Sequence, residues 1–302
     1  MTILLNLGGT ITLSYVDREE TDVGVDGILS AEIPVINISP TQSHGYEWDH
    51  LRLLRQNLLE EWRKGESCFI VSVGTDALQE VAYFLRLVAP PKVGIAVVGA
   101  LRARSDPESD GPGSLRLADD WLRQACCEGV VVSCDWQLLR TPMVDKIRDK
   151  AWHFQPWIHD TDGLTRWVLD TESELVERQP RIPILTVGIA TSKWLQDILE
   201  SRSFDGVVIQ AYTGGDVPPP IVNSIHQLVL DNIPVVIASR SRPGMIEPWY
   251  PTLLGTSGNL LSGGVLGAGW LDGNRARIRL MIALSTRPSV PIKDVFQLAD
   301  TS

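Results

Sequence analysis

The chain has 302 residues, 44% of them hydrophobic and 21% charged, with a formal net charge of −10. This composition is typical of a globular protein with one large domain or two modest ones. The negative charge argues against nucleic acid as a main partner, because phosphate binding needs clustered Lys and Arg. No apolar run approaches the roughly 18 residues of a membrane span, and the N-terminus shows no signal-like pattern.

Apolar, β-branched runs alternate with helix-like stretches through the first half of the chain. The predicted strands are 2–7, 33–37, 67–73, 93–99 and 129–134. The predicted helices are 47–63, 76–88 and 114–127. Short apolar runs separated by helices are typical of a parallel sheet covered on both faces, so this half predicts an α/β domain.

The alternation breaks at residues 155–182, which predict a strand or hairpin followed by a linker. It then returns with predicted strands near 183–189, 206–210 and 234–238, and helices near 192–201, 219–230 and 290–299. We therefore divide the chain into an N-terminal catalytic α/β domain (1–165), a linker (166–182) and a C-terminal α/β domain (183–302).

Two threonine motifs follow predicted strands at matching places, GGTI at 8–11 and VGTD at 73–76. Each puts a hydroxyl at the carboxyl end of a strand, where open α/β sheets bind ligands. A threonine in such a turn is more often a turn or helix-cap residue, and a hydroxyl nucleophile needs a neighbouring base. Two such threonines, one followed by a carboxylate, indicate a hydrolytic site.

These motifs resemble the bacterial-type L-asparaginase and glutaminase family, and the similarity extends from about residue 1 to 295. It is carried by LLNLGGTI (4–11), GTDALQEVAYFL (74–85), VGALRARSDPESDGPGSLRLA (98–118), Ser239-Arg240 and ARIRL (276–280). The resemblance implies a two-domain α/β fold. The larger N-terminal domain would be flavodoxin-like with three layers, and the C-terminal domain would be smaller.

The resemblance also implies a set of catalytic residues. Thr10 would attack an amide carbon, form an acyl-enzyme ester and release ammonia or an amine. Thr75, Asp76 and a lysine would activate the site, and the Thr75 N–H would help to hold the oxyanion. Lys146 is the candidate lysine, because residues 129–146 match the family segment without a gap. Its basic neighbours leave a surface cluster as the alternative.

Further matches and departures concern substrate binding. Ala100 corresponds to the family position whose backbone carbonyl receives the leaving amide nitrogen. Pro40 stands where the family has a serine for the substrate α-carboxylate, and proline offers neither hydroxyl nor N–H. Ser39 or Thr41 would have to replace it. This departure favours a modified or peptide-linked asparagine over free asparagine.

The first threonine is followed by a charged segment, 12–32, which is either a solvated loop or a mobile lid. The family's lid tyrosine is missing from its usual place, and the nearest tyrosine is Tyr15. The side chain that assists the first threonine in many members of the family is therefore missing for Thr10.

Two carboxylates in the second domain are further candidates for substrate binding. Asp216 ends a TGGD turn that resembles a family turn reaching the neighbouring subunit's active site, and it would favour an amine-bearing group. Glu247 is a candidate for the acidic residue supplied across that interface, with a solvated glutamate as the alternative. The resemblance implies a homodimer or homotetramer with active sites at subunit interfaces.

No residue pattern calls for a cofactor or a metal. The four cysteines lack metal-ligand spacing, and the sequence contains no GxGxxG, P-loop or GxSxG motif. Structural thiols and the missing signal pattern predict a cytoplasmic protein. The first hypothesis is therefore a cytoplasmic amidohydrolase acting on a small amide. The alternatives are an enzyme of specialised metabolism that cleaves or transfers a different bond, and a non-catalytic ligand-binding homologue.

Overall fold

The computed structural model describes residues 1–9, 11, 13–16, 19–22, 33–38, 41–124, 127–157, 164, 166–242 and 244–297. The chain divides into two compact units, one formed by Met1–Trp157 and Val168–Glu172, the other by Ile158–Trp167 and Ser173–Ser302. Among the described residues, no helix is long and apolar enough to span a membrane.

The first unit contains ten strands and three helices in its described part. The strands are β1 (Thr2–Asn6), β2 (Leu13–Val16), β3 (Glu19–Asp22), β4 (Val35–Asn37), β5 (Cys68–Ser72), β6 (Gly94–Val98), β7 (Gly129–Cys134), β8 (Gln137–Leu139), β9 (Val144–Arg148) and β10 (Trp152–Pro156). The helices are α1 (Trp48–Arg63), α2 (Leu78–Val88) and α3 (Gly111–Leu122).

Six of these strands form one sheet in the order β4-β1-β5-β6-β7-β8. The first five are parallel, and β8 pairs antiparallel with β7. In chain order this is the flavodoxin arrangement, which confirms the predicted α/β class. The strand order reverses between β1 and β5, and ligands bind at such a reversal in open α/β sheets.

The central strands are apolar on both faces because helices cover both. One face packs against α3, where Ile70, Ala96 and Val98 meet Leu115 in a buried cluster. Successive strand residues point to opposite faces, so Val71 and its equivalents face the other side. There α2 contacts β6 and β7. Two further antiparallel pairs, β2 with β3 and β9 with β10, lie outside this sheet.

The second unit contains a parallel sheet in the order β12-β13-β14-β15. A separate antiparallel pair joins β11 and β16. The strands are β11 (Glu174–Leu175), β12 (Ile184–Thr186), β13 (Val207–Ala211), β14 (Val235–Ser239), β15 (Leu266–Gly267) and β16 (Thr286–Arg287). The helices are α4 (Ser192–Ser201), α5 (Val222–Leu230), α6 (Ser257–Ser262), α7 (Gly273–Ser285) and α8 (Ile292–Val295).

The sequence prediction missed α7, the longest helix described in the second unit. Residues 276–280 alternate apolar and charged side chains, a pattern typical of a strand rather than a helix. The structure buries Arg279 together with the apolar residues of this run, and Arg275 just before it, each at 1% exposure, whereas Arg277 is half-buried. Arg275 forms an ion pair with Asp272, and Arg279 Nε donates to the Val295 carbonyl at 2.7 Å. A helix cap at Asp272 and a tertiary partner at Val295 therefore overrode the alternating pattern.

Candidate active site

Polar contacts fix the strand ends at the reversal of the sheet. Asn6 ends β1 and is 2% exposed. Its Oδ1 accepts from the Gly8 N–H at 2.9 Å and from Ser72 Oγ at 2.7 Å. Its Nδ2 donates to Asn37 Oδ1 at 2.8 Å. One buried amide thus links the carboxyl ends of β4, β1 and β5 and sets the start of both threonine loops.

The two threonine loops meet at their glycines. Gly9 has a φ of +95°, and a Cβ atom there would lie 2.3 Å from the Gly74 nitrogen. A Cβ atom on Gly74 would lie 2.5 Å from Ser43 Oγ. Glycine is required at both positions, because a methyl group would overlap the Gly74 backbone in the first case and the Ser43 side chain in the second. Thr10, which follows Gly9, lies outside the described residues, as do Ser39 and Pro40.

The second threonine loop carries a lysine-centred cluster. Lys146 Nζ donates to Thr75 Oγ1 at 2.9 Å and to Asp76 Oδ1 at 2.7 Å. The Thr75 residue is 8% exposed, and the side chains of Lys146 and Asp76 are 16% and 64% exposed. The structure therefore brings together three of the four predicted catalytic residues. The Lys146 side chain is therefore mostly buried, whereas the Asp76 carboxylate is largely exposed to solvent.

Lys146 reaches this position from β9, a strand that the sequence prediction did not include. In the β9–β10 hairpin, Lys146 pairs with Phe154, which is 2% exposed. Phe154 anchors the hairpin while the lysine side chain extends to the β5 loop. Two five-residue strands of mixed polar and apolar residues give a weak pattern, because each strand buries a single residue, Val144 in β9 and Phe154 in β10.

Tyr46 is a site residue that the sequence reasoning missed. Its hydroxyl donates to the Leu7 carbonyl at 2.9 Å and accepts from the Gly74 N–H at 3.4 Å, so it bridges the two threonine loops. Burial raises the pKa of Tyr46 to about 12, and the Gly74 N–H opposes this shift. The sequence signal for Tyr46 is its place in the loop after β4, because this loop lies at the same edge of the sheet as the two threonine loops.

Ala100 is fully buried just beyond β6, and Asp110 holds the loop that follows it. The Asp110 carboxylate, in a residue 2% exposed, accepts the N–H groups of Leu101 at 2.9 Å and of Arg102 at 3.0 Å. It also accepts the Asp135 N–H at 3.0 Å. One carboxylate thus fastens the loops after β6 and β7. Asp110 lies within the segment 98–118 that resembles the family, and no local pattern in that segment predicts its role.

The remaining predicted substrate ligands have partners near them in the chain or within their own unit. The Thr41 N–H donates to the Leu7 carbonyl at 3.1 Å. In the second unit, Asp216 Oδ1 accepts the Ser257 N–H at 3.0 Å at the start of α6. Glu247 Oε2 accepts from Trp249 Nε1 at 3.2 Å. These contacts give each residue a structural role besides any role in binding.

The described residues contain no group of three or more His, Cys, Asp or Glu side chains placed to hold a metal ion. At the reversal of the sheet, the described residues supply a hydroxyl (Thr75), an ammonium (Lys146) and a carboxylate (Asp76) as reactive groups. Such a set can hold an amide, donate to a developing oxyanion and move protons.

Comparison with known proteins agrees with this geometry. The family model described as "Asparaginase, N-terminal" matches residues 2–155, and "Glutaminase/Asparaginase C-terminal domain" matches residues 184–296. The chain is 26% identical over 284 residues to a probable L-asparaginase of Deinococcus radiodurans, covering 87% of this chain and 83% of that protein. It is 24% identical over 294 residues to an L-asparaginase of Bacillus licheniformis, covering 91% and 86%.

Solved structures give the same fold. A probable cytoplasmic L-asparaginase from Campylobacter jejuni superposes with a TM-score of 0.76 at 21% identity, covering 97% of both chains. A thermostable L-asparaginase from Thermococcus kodakarensis gives a TM-score of 0.74 at 20% identity, covering 94% of this chain and 92% of that one. The predicted two-domain fold is confirmed. The chain belongs to the glutaminase/asparaginase family and is an asparaginase-type amidohydrolase, acting on carbon–nitrogen bonds other than peptide bonds.

Proposed function

We propose that Thr10 is the nucleophile and that Thr75, Asp76 and Lys146 activate it. The observation that carries this proposal is the hydrogen-bonded chain from Thr75 through Lys146 to Asp76. A second observation supports it. Gly9 precedes Thr10 in the sequence and packs directly against Gly74, which precedes Thr75. The two threonines thus follow the two glycines at the contact between the loops.

The proposed reaction has two halves. The Thr10 hydroxyl attacks the amide carbon, its proton passes along Thr75 Oγ1 and Lys146 Nζ to the Asp76 carboxylate, and the Thr75 N–H stabilises the oxyanion. An oxyanion donor of this kind typically contributes about 3 kcal/mol. The leaving nitrogen takes the proton beside the Ala100 carbonyl and departs as ammonia or an amine. Water then attacks the acyl-enzyme ester, which releases the carboxylic acid and restores the Thr10 hydroxyl.

The proposed substrate is an amide whose α-carboxylate is blocked or absent. Pro40 cannot donate to a carboxylate, and the Thr41 N–H already donates to the Leu7 carbonyl. The Thr41 hydroxyl, together with Ser39, is left as the candidate ligand. The exposed Asp76 carboxylate, and Asp216 and Glu247 supplied by a neighbouring subunit, would suit an amino group of the substrate.

The proposal extends to assembly and location. The predicted homodimer or homotetramer, with Asp216 and Glu247 supplied across subunits, is tested by light scattering on the purified protein. A dimer mass or a tetramer mass supports it, and a monomer that retains full activity overturns it. Cytoplasmic location is proposed from the cysteine pattern and from the Campylobacter jejuni structure, which is named cytoplasmic.

The experiment that tests the reaction is a release assay for ammonia and amines. The panel contains free L- and D-asparagine, glutamine, α-blocked asparagines and asparaginyl peptides, run with the wild type, Thr10→Ala and Thr10→Ser. Thr10-dependent release from the blocked substrates supports the proposal. A Thr10→Ala variant as active as the wild type overturns the nucleophile, and faster turnover of free L-asparagine overturns the substrate assignment.

A second readout identifies the covalent intermediate. Rapid acid quenching during turnover, followed by mass spectrometry, should find the acyl group on the peptide that contains Thr10. Acylation of another residue contradicts the proposal. Tight binding of the panel without any release favours the non-catalytic alternative. Transfer to an added amine in place of water favours the enzyme of specialised metabolism.

A further inference from the structure

A cavity of about 600 Å³ lies beside the candidate site, within the first unit. Its walls include Leu101, Arg102, Asp110, Asp135, Trp136 and Trp152. Such a volume is large enough for a small organic ligand. The two tryptophans are 57% and 50% exposed, which is unusual for the largest apolar side chain.

Trp136 is held in the cavity at a conformational cost. Asp135 and Trp136 form the two-residue turn between β7 and β8, with φ angles of 53° and 57°. Asn and Gly are favoured in such a turn, and a bulky aromatic at positive φ is a genuine outlier. The indole ring also rests on Gly113, where a Cβ atom would lie 2.1 Å from Trp136 Cζ3. The strained turn and the contact with Gly113 thus hold the Trp136 indole in an exposed position.

The charged residues that line the cavity are three acidic residues, Glu108, Asp110 and Asp135, and one basic residue, Arg102. Arg102 is already paired with Glu108. Asp110 accepts three backbone N–H groups, whereas the Asp135 carboxylate accepts no hydrogen bond and forms no ion pair with any residue that the structure describes. Burial, and then the charge of Asp110, raise the pKa of Asp135, while His153 and Arg102 oppose this shift. An incoming cation would balance the carboxylate.

The cavity is connected to the lysine-centred cluster through Trp152. The centroid of this ring lies 5.4 Å from Lys146 Nζ and 5.5 Å from the Arg148 guanidinium carbon. Leu101, in the cavity wall, directly follows Ala100, whose carbonyl is assigned to the leaving nitrogen. The proposed role of the Ala100 carbonyl thus puts the cavity on the leaving-group side of the scissile amide.

We propose that this cavity binds an organic cation, an ammonium group on a short apolar stem, carried on the leaving amine of the substrate. The Trp136 ring contacts the apolar stem and the ammonium group, and the Asp135 carboxylate balances the positive charge of the ligand. This inference rests on the proposed function for its substrate. Water cleaves the amide, the acyl part leaves as a carboxylic acid, and the cation leaves on a primary amine rather than as ammonia.

The first test measures binding without turnover. Benzyltrimethylammonium is titrated calorimetrically into the Thr10→Ala protein, with benzyl alcohol and benzenesulfonate as neutral and anionic controls. Asp135→Asn and Trp136→Asn should each weaken cation binding by about tenfold. Asn suits the positive φ, so the second variant should fold at least as well as the parent. Trp194→Ala, at a 44% exposed tryptophan in the second unit, is the matched control and should bind normally.

Two results of that titration overturn the proposal. One is equal binding of the cation and benzyl alcohol, and the other is unchanged binding in both pocket variants. Because Thr10→Ala is used throughout, these results do not depend on the nucleophile. Cation binding in a protein that hydrolyses no amide supports the cavity and overturns the proposed function alone.

The second test decides whether the cation belongs to the substrate. Asparagine amides carrying a 2-(trimethylammonio)ethyl group or the neutral 3,3-dimethylbutyl group on the amide nitrogen are compared by amine release. The wild type should prefer the cationic amide by about tenfold in kcat/KM, and Asp135→Asn should remove the preference. Equal rates together with tight binding of benzyltrimethylammonium overturn the substrate assignment and make the cation a free effector.

Discussion

Gly9 and Gly74 touch backbone to backbone, since a Cβ atom on Gly9 would lie 2.3 Å from the Gly74 nitrogen and 2.4 Å from its Cα. This contact joins the loops that carry the two threonine motifs, one after β1 and one after β5. The sheet order reverses between these strands, so no crossing loop separates the two turns. The two glycines therefore set the distance between the two loops.

Gly9→Ala should damage both stability and activity, whereas Gly65→Ala should damage neither severely. Both glycines have positive φ, +95° and +101°, so both variants carry the left-handed strain of about 1–2 kcal/mol. A Cβ atom at Gly65 meets nothing within 4 Å, whereas at Gly9 it meets the Gly74 backbone. Urea unfolding and amide hydrolysis measure the difference. Equal losses of stability, with full activity in Gly9→Ala, would show that the loops separate at no cost.

Lys146→Met should lower kcat by about 10²–10⁴-fold, the range for removing a group that moves protons in the transition state. The variant removes the donor to Thr75 Oγ1 and Asp76 Oδ1 but keeps the length of the side chain. Lys150→Met is the control, because Lys150 is exposed in the turn between β9 and β10. Steady-state kinetics on the best amide substrate measure the effect. A kcat for Lys146→Met within twofold of the wild type would contradict the assignment.

Tyr46→Phe should change how stability depends on pH. The pKa of Tyr46 is 10.0 when unperturbed and about 12 in the fold, because burial disfavours the charged phenolate. A raised acid pKa means that the contribution to stability is complete below pH 10 and is lost as the pH rises toward 12. Wild type should therefore lose stability over this window more steeply than Tyr46→Phe.

The measurement for Tyr46 is urea unfolding of both proteins at pH 8, 10 and 11. At pH 8 the variant should be less stable by about 1 kcal/mol, because the Leu7 carbonyl and the Gly74 N–H lose a shared partner. The gap should narrow at pH 11. A gap that stays constant from pH 8 to pH 11 would show that Tyr46 titrates normally.

Asp110→Ala should destabilise the first unit by about 2–4 kcal/mol, because three backbone N–H groups lose their acceptor together. Asp170→Ala is the matched control. Asp170 is exposed; its carboxylate accepts one backbone N–H, that of Glu172 at 2.7 Å, and attracts the Arg55 guanidinium, so its loss should cost less than the loss of Asp110. Chemical denaturation measures both. An Asp110 variant as stable as the control would mean that solvent replaces the carboxylate.

Much of the active-site geometry followed from short segments of sequence. The threonine motifs at 8–11 and 73–76 stand directly after apolar runs long enough for buried strands, and parallel strands bring their carboxyl ends to one edge. Lys146 is predicted by an ungapped match, and in the structure it donates to Thr75 Oγ1, while its catalytic role stays a prediction. Thr10 and Ser39 lie outside the described residues, so their roles stay predictions.

The sequence by itself determined the alternation of strands and helices. Burial on both faces of a parallel sheet requires continuous apolar runs, and these are visible in the sequence. The sequence also determined the two glycine–threonine turns. The tertiary structure alone decided the parts that depend on distant partners. Tyr46 bridges Leu7 and Gly74, and Asp110 collects N–H groups from two loops. Trp136 lines a cavity because its ring rests on Gly113. Such contacts are set by how the strands line up in the sheet, and no local pattern encodes that.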